Sequence, residues 1–156
     1  MRDSTLLFLV KKEGDKISNI CLPMKKRGFG AGRYNGVGGK VEAGETIEEA
    51  VAREAKEEIG VGVDIIKKCA ELQFYFPHNP AFDQLVHVYL AETWDSEPVE
   101  SEEMNPKWFS ASDIPDQEMW PDDIFWIPKV LEGHFVQGRF VFGEGDVVKE
   151  QEVIVV

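Results

Sequence analysis

Short apolar runs separated by turn-forming residues mark the first part of the chain. Residues 5–11 and 17–22 are two such runs on either side of Glu13-Gly14-Asp15, and this pattern predicts two strands joined by a turn. Residues 72–76 and 85–93 are similar runs further along the chain. We therefore expect at least four strands before the last third of the sequence.

Two segments carry helix signals. Thr46 is followed three residues later by Glu49, which has the form of a capping box, and a helix-forming run continues from there to Ile59. Gly60 then supplies a residue suited to the left-handed conformation that ends many helices. Residues 121–134 predict a second helix.

The last residues predict a closing hairpin, because residues 135–142 and 147–156 lie on either side of Gly143-Glu144-Gly145. Strands outnumber helices, and their order along the chain predicts an α/β fold in which helices pack on a mixed sheet. No repeat, low-complexity tract or long linker interrupts the pattern. We therefore expect a single domain over residues 1–156.

Composition and charge narrow the possible partners. The chain has 29 acidic and 17 basic residues and a formal charge of −12, which would repel a nucleic acid polymer. The apolar run at residues 5–10 is too short for a membrane span or a signal segment. Cys21 and Cys69 lack the C-x-x-C spacing of a redox or zinc site, which predicts two buried free thiols. We expect a soluble, unprocessed cytoplasmic monomer that binds no membrane.

Three carboxylates stand together near the end of the first predicted helix. Glu54, Glu57 and Glu58 are spaced i, i+3 and i+4, so their side chains share one face and repel each other. Carboxylates are ligands that Mg²⁺ prefers, and Mg²⁺ keeps positions for water and for substrate phosphates. The three carboxylates are therefore candidate metal ligands, but on their spacing alone a solvated helix face is the favoured interpretation.

The residues around these carboxylates occur at fixed spacing. They fit the pattern Gx5Ex7REUxEExGU over 23 residues, from Gly39 to Val61, with Ala55 at a position where a larger aliphatic residue is usual. This segment resembles the Nudix box. The resemblance implies the Nudix α/β/α sandwich with a mixed sheet, and a hydrolase that uses Mg²⁺, with Mn²⁺ as a substitute.

The resemblance also implies roles for individual residues. Glu54, Glu57 and Glu58 would be the catalytic residues and side-chain metal ligands. The backbone carbonyl of Gly39 would be a further ligand, and Glu103 an additional carboxylate on the metal side. These five residues are the implied metal site.

The implied chemistry is attack of water on a phosphorus of a triphosphate, which releases pyrophosphate and a nucleoside monophosphate. A box glutamate would take the final proton, with Glu54 and Glu58 both open as the base. The attacked phosphorus is also open. Arg53 and Glu45 would pair structurally, because a bidentate contact could hold the helix against its preceding loop.

The match extends beyond the box. Residues 24–41, 98–104 and 119–126 resemble the eukaryotic-type MutT homologues of the Nudix family, which hydrolyse oxidised purine nucleoside triphosphates such as 8-oxo-dGTP and 2-oxo-dATP. The resemblance covers most of the chain. A dense basic patch, Lys25, Lys26, Arg27 and Arg33, suits a triphosphate. The implied substrate-binding residues are Lys25, Phe29, Asn35, Phe74, Trp120, Asp122 and Asp123.

Each of these roles has a structural alternative. Asp122 and Asp123 would read the base edge, because adjacent carboxylates in apolar surroundings keep one proton and so offer a donor and an acceptor. The same residues near a helix start could simply favour the helix dipole or cap the helix. Asn35 would also read the base edge, but Asn35-Gly36 is a common turn dipeptide. Aromatic residues such as Phe74 are usually core.

Some positions depart from the resembled branch. Tyr34 and Val37 replace larger aromatic residues, and Gln84 replaces an apolar pocket residue. These departures leave substrate choice open. The alternatives are a Nudix enzyme for another nucleoside diphosphate derivative, such as ADP-ribose, or a non-catalytic Nudix-like module that binds a nucleotide.

Overall fold

The computed structural model describes residues 1–156 and contains nine strands, two α-helices and two short 3-10 turns. The helices are α1 (Ile47–Ile59) and α2 (Asp123–Leu131), and the 3-10 turns are Pro80–Phe82 and Asp116–Glu118. The strands are β1 (Arg2–Glu13), β2 (Lys16–Cys21), β3 (Met24–Lys25), β4 (Lys67–Tyr75), β5 (Gln84–Ala91), β6 (Met104–Asn105), β7 (Trp108–Ser110), β8 (Val136–Gly143) and β9 (Val147–Val155).

Seven strands form one sheet in the order β7-β2-β1-β5-β4-β8-β9. β1 runs parallel to β5 and β4 runs parallel to β8, while the other neighbours are antiparallel. β3 and β6 form a separate antiparallel pair. The predicted mixed sheet is confirmed, and so are the β1–β2 and β8–β9 hairpins.

The two helices cover opposite faces of this sheet. Side chains alternate between the faces of a strand, so Leu7 of β1 packs in the apolar cluster that contains Val51 of α1. Phe8 faces the other way and packs in the cluster that contains Trp126 of α2, with the two rings 6.2 Å apart. Helix, sheet and helix therefore form the expected α/β/α sandwich.

Helix α1 has the predicted ends. Thr46 Oγ1 accepts the Glu49 backbone N–H at 3.1 Å, and Glu49 Oε1 accepts the Thr46 backbone N–H at 2.9 Å, which completes the capping box. Gly60 ends the helix in the left-handed conformation at a φ of 71°. Both ends are determined by local contacts, and they place the box carboxylates on the last turns of α1.

The second helix is shorter than predicted. Residues 121–134 were the expected range, whereas α2 spans Asp123–Leu131. Gly133, at a φ of 94°, turns the chain away before the predicted end. Residues 120–122 form the approach to the helix, and this is where they contribute to the pocket described below.

The sheet also contains strand residues that the local pattern does not show. β4 begins at Lys67 and not at residue 72, because Lys67 and Lys68 pair with Leu90 and Tyr89 of β5. β3, β6 and β7 are two or three residues long and were not predicted. Such short strands carry too few residues for a recognisable alternation and depend on their partners.

Cys21 and Cys69 are both buried and free, as predicted. Burial raises the pKa of each thiol to about 12, so both are inert as nucleophiles at neutral pH. No helix of the protein is long and apolar enough to cross a membrane.

Candidate active site

Arg53 ties the loop before α1 to the helix. Its Nε and Nη2 atoms donate to Glu45 Oε2 and Oε1 at 2.7 and 3.1 Å, and Nη2 also donates to the Lys40 carbonyl at 3.1 Å. The same guanidinium donates to Glu54 at 2.9 Å and to Glu57 at 3.3 Å. The predicted bidentate pair of Arg53 and Glu45 is confirmed, and its hydrogen bonds hold the pKa of Glu45 below its ordinary value.

Two of the three box carboxylates lie together in a buried position. Glu58 is 7% exposed, and its Oε2 atom has no hydrogen-bond partner. Burial, and then the adjacent Glu54, raise the pKa of Glu58 to about 8. The Glu54 side chain is 13% exposed. Glu54 and Glu58 therefore place two carboxyl groups in buried surroundings. Arg53 donates to Glu54, but the Glu58 Oε2 atom has no partner.

Glu57 is the exposed member of the three box carboxylates. The Glu57 side chain is 60% exposed and pairs with Arg53, one helical turn before it. Glu103 is also paired, because Arg27 donates to its Oε1 atom at 2.8 Å. No three His, Cys, Asp or Glu side chains form a group that could hold a metal ion.

Gly39 lies directly against the carboxylate pair. A Cβ atom at this position would lie 2.7 Å from Glu54 Oε1, so a larger residue would displace the carboxylate. The Gly39 carbonyl accepts the Thr5 backbone N–H at 2.9 Å, which fixes the loop on β1. At Gly38 a Cβ atom would overlap the Thr5 carbonyl. The two glycines allow the loop to pack between β1 and α1.

These residues fit a divalent cation. A buried carboxylate oxygen without a partner needs a positive charge or a donor, and hard cations take carboxylate and carbonyl oxygens. Glu54 and Glu58 provide such oxygens at one place, and Gly39, whose carbonyl would be a further ligand, lies against Glu54. With only these donors from the protein, water or substrate oxygens would complete the coordination of a bound ion.

A cavity of about 220 Å³ lies next to this loop, and Gly39 is part of its wall. It is bounded by the first residues of β1, the glycine-rich segment, the facing ends of β4 and β5, and the approach to α2. All seven predicted substrate-binding residues line it: Lys25, Phe29, Asn35, Phe74, Trp120, Asp122 and Asp123. The structure therefore brings together residues that are nearly a hundred positions apart in sequence.

Asp122 and Asp123 form a buried carboxyl pair in this cavity. Each is 3% exposed, and Trp126 Nε1 donates to Asp122 Oδ2 at 2.8 Å. Burial raises the pKa of Asp122 to about 6, and burial together with the charge of Asp122 raises the pKa of Asp123 well above its ordinary value. Two buried carboxyl groups side by side disfavour a double negative charge, so the pair keeps a proton to higher pH than two separate Asp residues would. Asp122 stands at the N-cap of α2 but makes no side-chain capping bond, whereas Asp123 lies in the first turn, where a carboxylate favours the helix dipole.

Aromatic rings form the walls of the cavity. Phe29 stacks on Phe82 with ring centroids 4.5 Å apart and contacts Trp120 at 5.0 Å. Phe29 is 41% exposed and stands at the mouth, whereas Trp120 is 9% exposed. Phe74 stacks on Phe140 at 5.5 Å, so it belongs both to the apolar cluster and to the wall.

Asn35 makes a turn contact and also lines the cavity. Its Oδ1 atom accepts the Gly36 backbone N–H at 2.8 Å, which stabilises the turn. The side-chain amide therefore faces the cavity mainly as a donor. An acceptor role for Asn35 towards a base would require that turn contact to be given up.

The predicted basic patch is not one surface. Lys26 pairs with Glu100 at 2.7 Å, and Arg27 pairs with Glu103. Arg33 pairs with Asp146 and lies over Trp120 on the outside of the wall. Lys25 is the member of the patch that lines the cavity. Its positive charge partly offsets the rise in the pKa of Glu58 that burial and Glu54 cause.

The sequence interpretation missed the contribution of two strands. Ser4, Thr5 and Leu6 of β1 and Val86 of β5 line the cavity, together with Arg2 and Gln84 at the first positions of these strands. Only Gln84 had a signal, as an unusual polar residue. The others carry no motif, because the assembly of the sheet brings them to the cavity.

Four buried side-chain polar atoms lack a hydrogen-bond partner: Arg2 Nε, Thr5 Oγ1, Glu58 Oε2 and Asp123 Oδ2. Three of these residues line the cavity, and Glu58 belongs to the carboxylate pair beside it. Such atoms are uncommon in native proteins, because leaving one unpaired costs about 1–3 kcal/mol. Their concentration in one region indicates a site built for a polar ligand.

Comparison with known proteins shows the family to which the chain belongs. A family model for the NUDIX domain matches residues 1–130. The chain is 45% identical over 147 residues to the oxidized purine nucleoside triphosphate hydrolase of Danio rerio, covering 94% of this chain and 91% of that protein. It is also 45% identical over 129 residues to the Mus musculus protein of the same name, covering 83% and 82%.

A solved structure of the MutT protein of Bacillus halodurans has the same fold. The TM-score is 0.83 at 21% sequence identity, and the match covers 98% of this chain and 97% of that one. The box residues of α1, the α/β/α layers and the family match over most of the chain agree with one another. The protein is therefore a member of the Nudix family.

Proposed function

We propose that this protein hydrolyses oxidised purine (deoxy)nucleoside triphosphates, such as 8-oxo-dGTP and 2-oxo-dATP, to the monophosphate and pyrophosphate with Mg²⁺. The observation that carries the proposal is the buried Asp122–Asp123 pair inside an aromatic cavity that adjoins the box carboxylates. Two relatives at 45% identity, named for hydrolysis of oxidised purine nucleoside triphosphates, support it.

The cavity suits a purine base. Phe29, Phe74 and Trp120 offer flat apolar surfaces on which a base can stack. The protonated member of the Asp122–Asp123 pair donates a hydrogen bond to the base edge, and the ionised member accepts one. Because a base with another arrangement of donors and acceptors would leave buried groups unpaired, such a pair can discriminate between purines.

Nudix hydrolases generally need divalent metal ions, and the proposed metal here is Mg²⁺, with Mn²⁺ as a substitute. Glu54, Glu58 and the Gly39 carbonyl would hold the ion. Glu57 and Glu103, which pair with Arg53 and Arg27, would be further carboxylate ligands. Bound ions would neutralise the phosphoryl oxygens and lower the pKa of the attacking water.

The remaining chemistry belongs to side chains of the site. Lys25 lines the cavity near Glu58, so its ammonium group is positioned to pair with the phosphate chain. Either Glu54 or Glu58 accepts the proton of the attacking water. Arg53 holds Glu45 and Glu54 together and keeps the ligand geometry fixed.

A substrate panel tests the proposal. Pyrophosphate release with Mg²⁺ should give a higher kcat/KM for 8-oxo-dGTP and 2-oxo-dATP than for dGTP and dATP. Equal values for all four would contradict the proposed specificity. Faster hydrolysis of ADP-ribose would favour the alternative Nudix activity, and nucleotide binding without hydrolysis would favour a non-catalytic module.

A second experiment tests the metal site. Glu57→Gln or Glu58→Gln should reduce turnover by roughly a hundredfold or more without unfolding the protein, because each removes a ligand charge that the fold does not need. Glu144→Gln in the β8–β9 turn is the control and should keep full turnover. Turnover near the wild-type value in both helix variants would contradict the assignment.

A further inference from the structure

Arg2 places a buried donor at the wall of the cavity. It is the first residue of β1 and lines the cavity, and its Nε atom is buried without a hydrogen-bond partner. A guanidinium can only donate hydrogen bonds, so a partner supplied by a ligand must be an acceptor. None of the roles proposed above uses this residue.

Gln84 lies beside Arg2 and supplies the opposite kind of group. Arg2 of β1 is registered with Gln84 of β5, which is registered in turn with Phe74 of β4. Registered residues on neighbouring strands point to the same face, and all three line the cavity. Gln84 Nε2 donates to the Phe82 carbonyl at 3.2 Å, so the amide is oriented with Oε1 left as an acceptor.

The cavity therefore has two groups of polar side chains on different elements, here called the first and the second station. The Asp122–Asp123 pair lies at the start of α2, and the pair of Arg2 and Gln84 lies at the starts of β1 and β5. Phe74 is next to Gln84 in the same row. A flat ligand that stacks on the aromatic wall can thus present one edge to each station.

Oxidation of a purine at C8 creates an edge that matches the second station. In an ordinary purine, N7 is an acceptor and C8 carries only hydrogen. In the 8-oxo form N7 carries a proton and C8 carries a carbonyl, so a donor and an acceptor stand side by side. A normal purine would instead place the N7 lone pair against the oxygen of Gln84, which is unfavourable.

We propose, building on the proposed function, that Arg2 and Gln84 recognise the N7–H and C8=O edge of an 8-oxopurine. Arg2 donates to the C8 carbonyl oxygen, and Gln84 Oε1 accepts from N7–H. The two residues thereby select the oxidised base directly, in addition to the Asp122–Asp123 pair. An apolar residue in place of Gln84 would occupy a similar volume without the acceptor.

The test compares kcat/KM for 8-oxo-dGTP and dGTP in Gln84→Met and Arg2→Met. In each variant the ratio of the two values should fall roughly tenfold, because only the oxidised substrate loses a hydrogen bond. Gln84→Glu keeps an acceptor and should keep more of the ratio than Gln84→Met. Gln73→Met, a matched change on the opposite face of β4, should leave the ratio unchanged.

The outcomes separate this proposal from the proposed function. A wild-type preference for 8-oxo-dGTP that persists in Gln84→Met and Arg2→Met would overturn the second station and leave the proposed function intact. Equal loss of the ratio in Gln84→Met and Gln84→Glu would overturn the role of the Oε1 acceptor. A wild-type protein without preference for 8-oxo-dGTP would overturn both proposals.

Discussion

The guanidinium of Arg33 lies over the indole of Trp120, with Cζ 4.1 Å from the ring centroid. Asp146 holds Arg33 there, because its Oδ2 atom lies 3.2 Å from Arg33 Nη1. Asp146 is in the turn between β8 and β9 and is the only non-glycine residue with a positive φ, at 59°. The turn of the last hairpin thus supports a wall of the cavity from outside.

Asp146→Asn should raise KM for the nucleotide by roughly three- to tenfold and leave kcat nearly unchanged. Asparagine tolerates the left-handed backbone, so the variant removes the ion pair without straining the turn. The reason for the KM effect is that Arg33 loses the ion pair that holds it over Trp120, while the carboxylates on α1 are untouched. Steady-state kinetics together with Trp fluorescence would check this, and an unchanged KM would show that Trp120 is held by its apolar neighbours.

Substitutions in the Asp122–Asp123 pair should alter base selection, whereas substitutions in the Nudix box should alter the rate of hydrolysis. Asp122→Ala or Asp123→Ala should lower the ratio of kcat/KM for oxidised over normal purine by roughly tenfold or more, the effect of losing one or two buried hydrogen bonds. Glu54→Gln should slow all substrates alike, because the phosphate chain is common to them. A uniform loss in the Asp variants would instead mean that the pair is structural.

The carboxyl pair should also make stability depend on pH. The pKa of Asp122 rises from 3.8 to about 6 on folding, and that of Asp123 rises well above 3.8, so the folded state holds protons that the unfolded chain releases. The contribution of Asp122 to stability is therefore fully present below about pH 3.8, and it is lost as the pH rises through about 6. The positive charge of Arg33 opposes the shift of Asp122, and Asp116 adds to that of Asp123.

Asp123→Asn provides the measurement for this dependence. The amide donates a hydrogen bond as a protonated Asp123 would, but it never ionises, so the variant should lose less stability on going from pH 5 to pH 8. We expect Tm to fall several degrees further in the wild type over this interval. Since Glu58 is present in both proteins, its own titration cancels in the comparison. Parallel Tm curves would contradict the raised pKa values.

Arg53→Lys should reduce kcat at least about tenfold while lowering stability by only about 1 kcal/mol. A lysine keeps the positive charge but cannot hold both oxygens of Glu45 and also reach Glu54 and Glu57. Kinetics and thermal melting of the same samples separate the two effects. Full turnover in the lysine variant would show that charge alone positions the ligands.

The sequence by itself determined α1 and the residues grouped on it. The capping box from Thr46 to Glu49 and the stop at Gly60 depend on contacts within one helical turn. The spacing of Glu54 and Glu58 is likewise local, because helix geometry brings residues four apart together. The raised pKa values of Asp122 and Asp123 also follow from two adjacent carboxylates among tryptophans, a pattern that the sequence shows.

Only the tertiary structure decided which other groups meet at the site. Glu57 and Glu103 are bound by arginines, and the choice of those partners follows from side-chain packing and not from spacing. Arg2, Gln84 and Phe74 form one row because the register of β1, β5 and β4 aligns them. Register is a property of the assembled sheet, where burial of one face fixes the pairing across residues far apart in sequence. No local pattern in the chain contains that information.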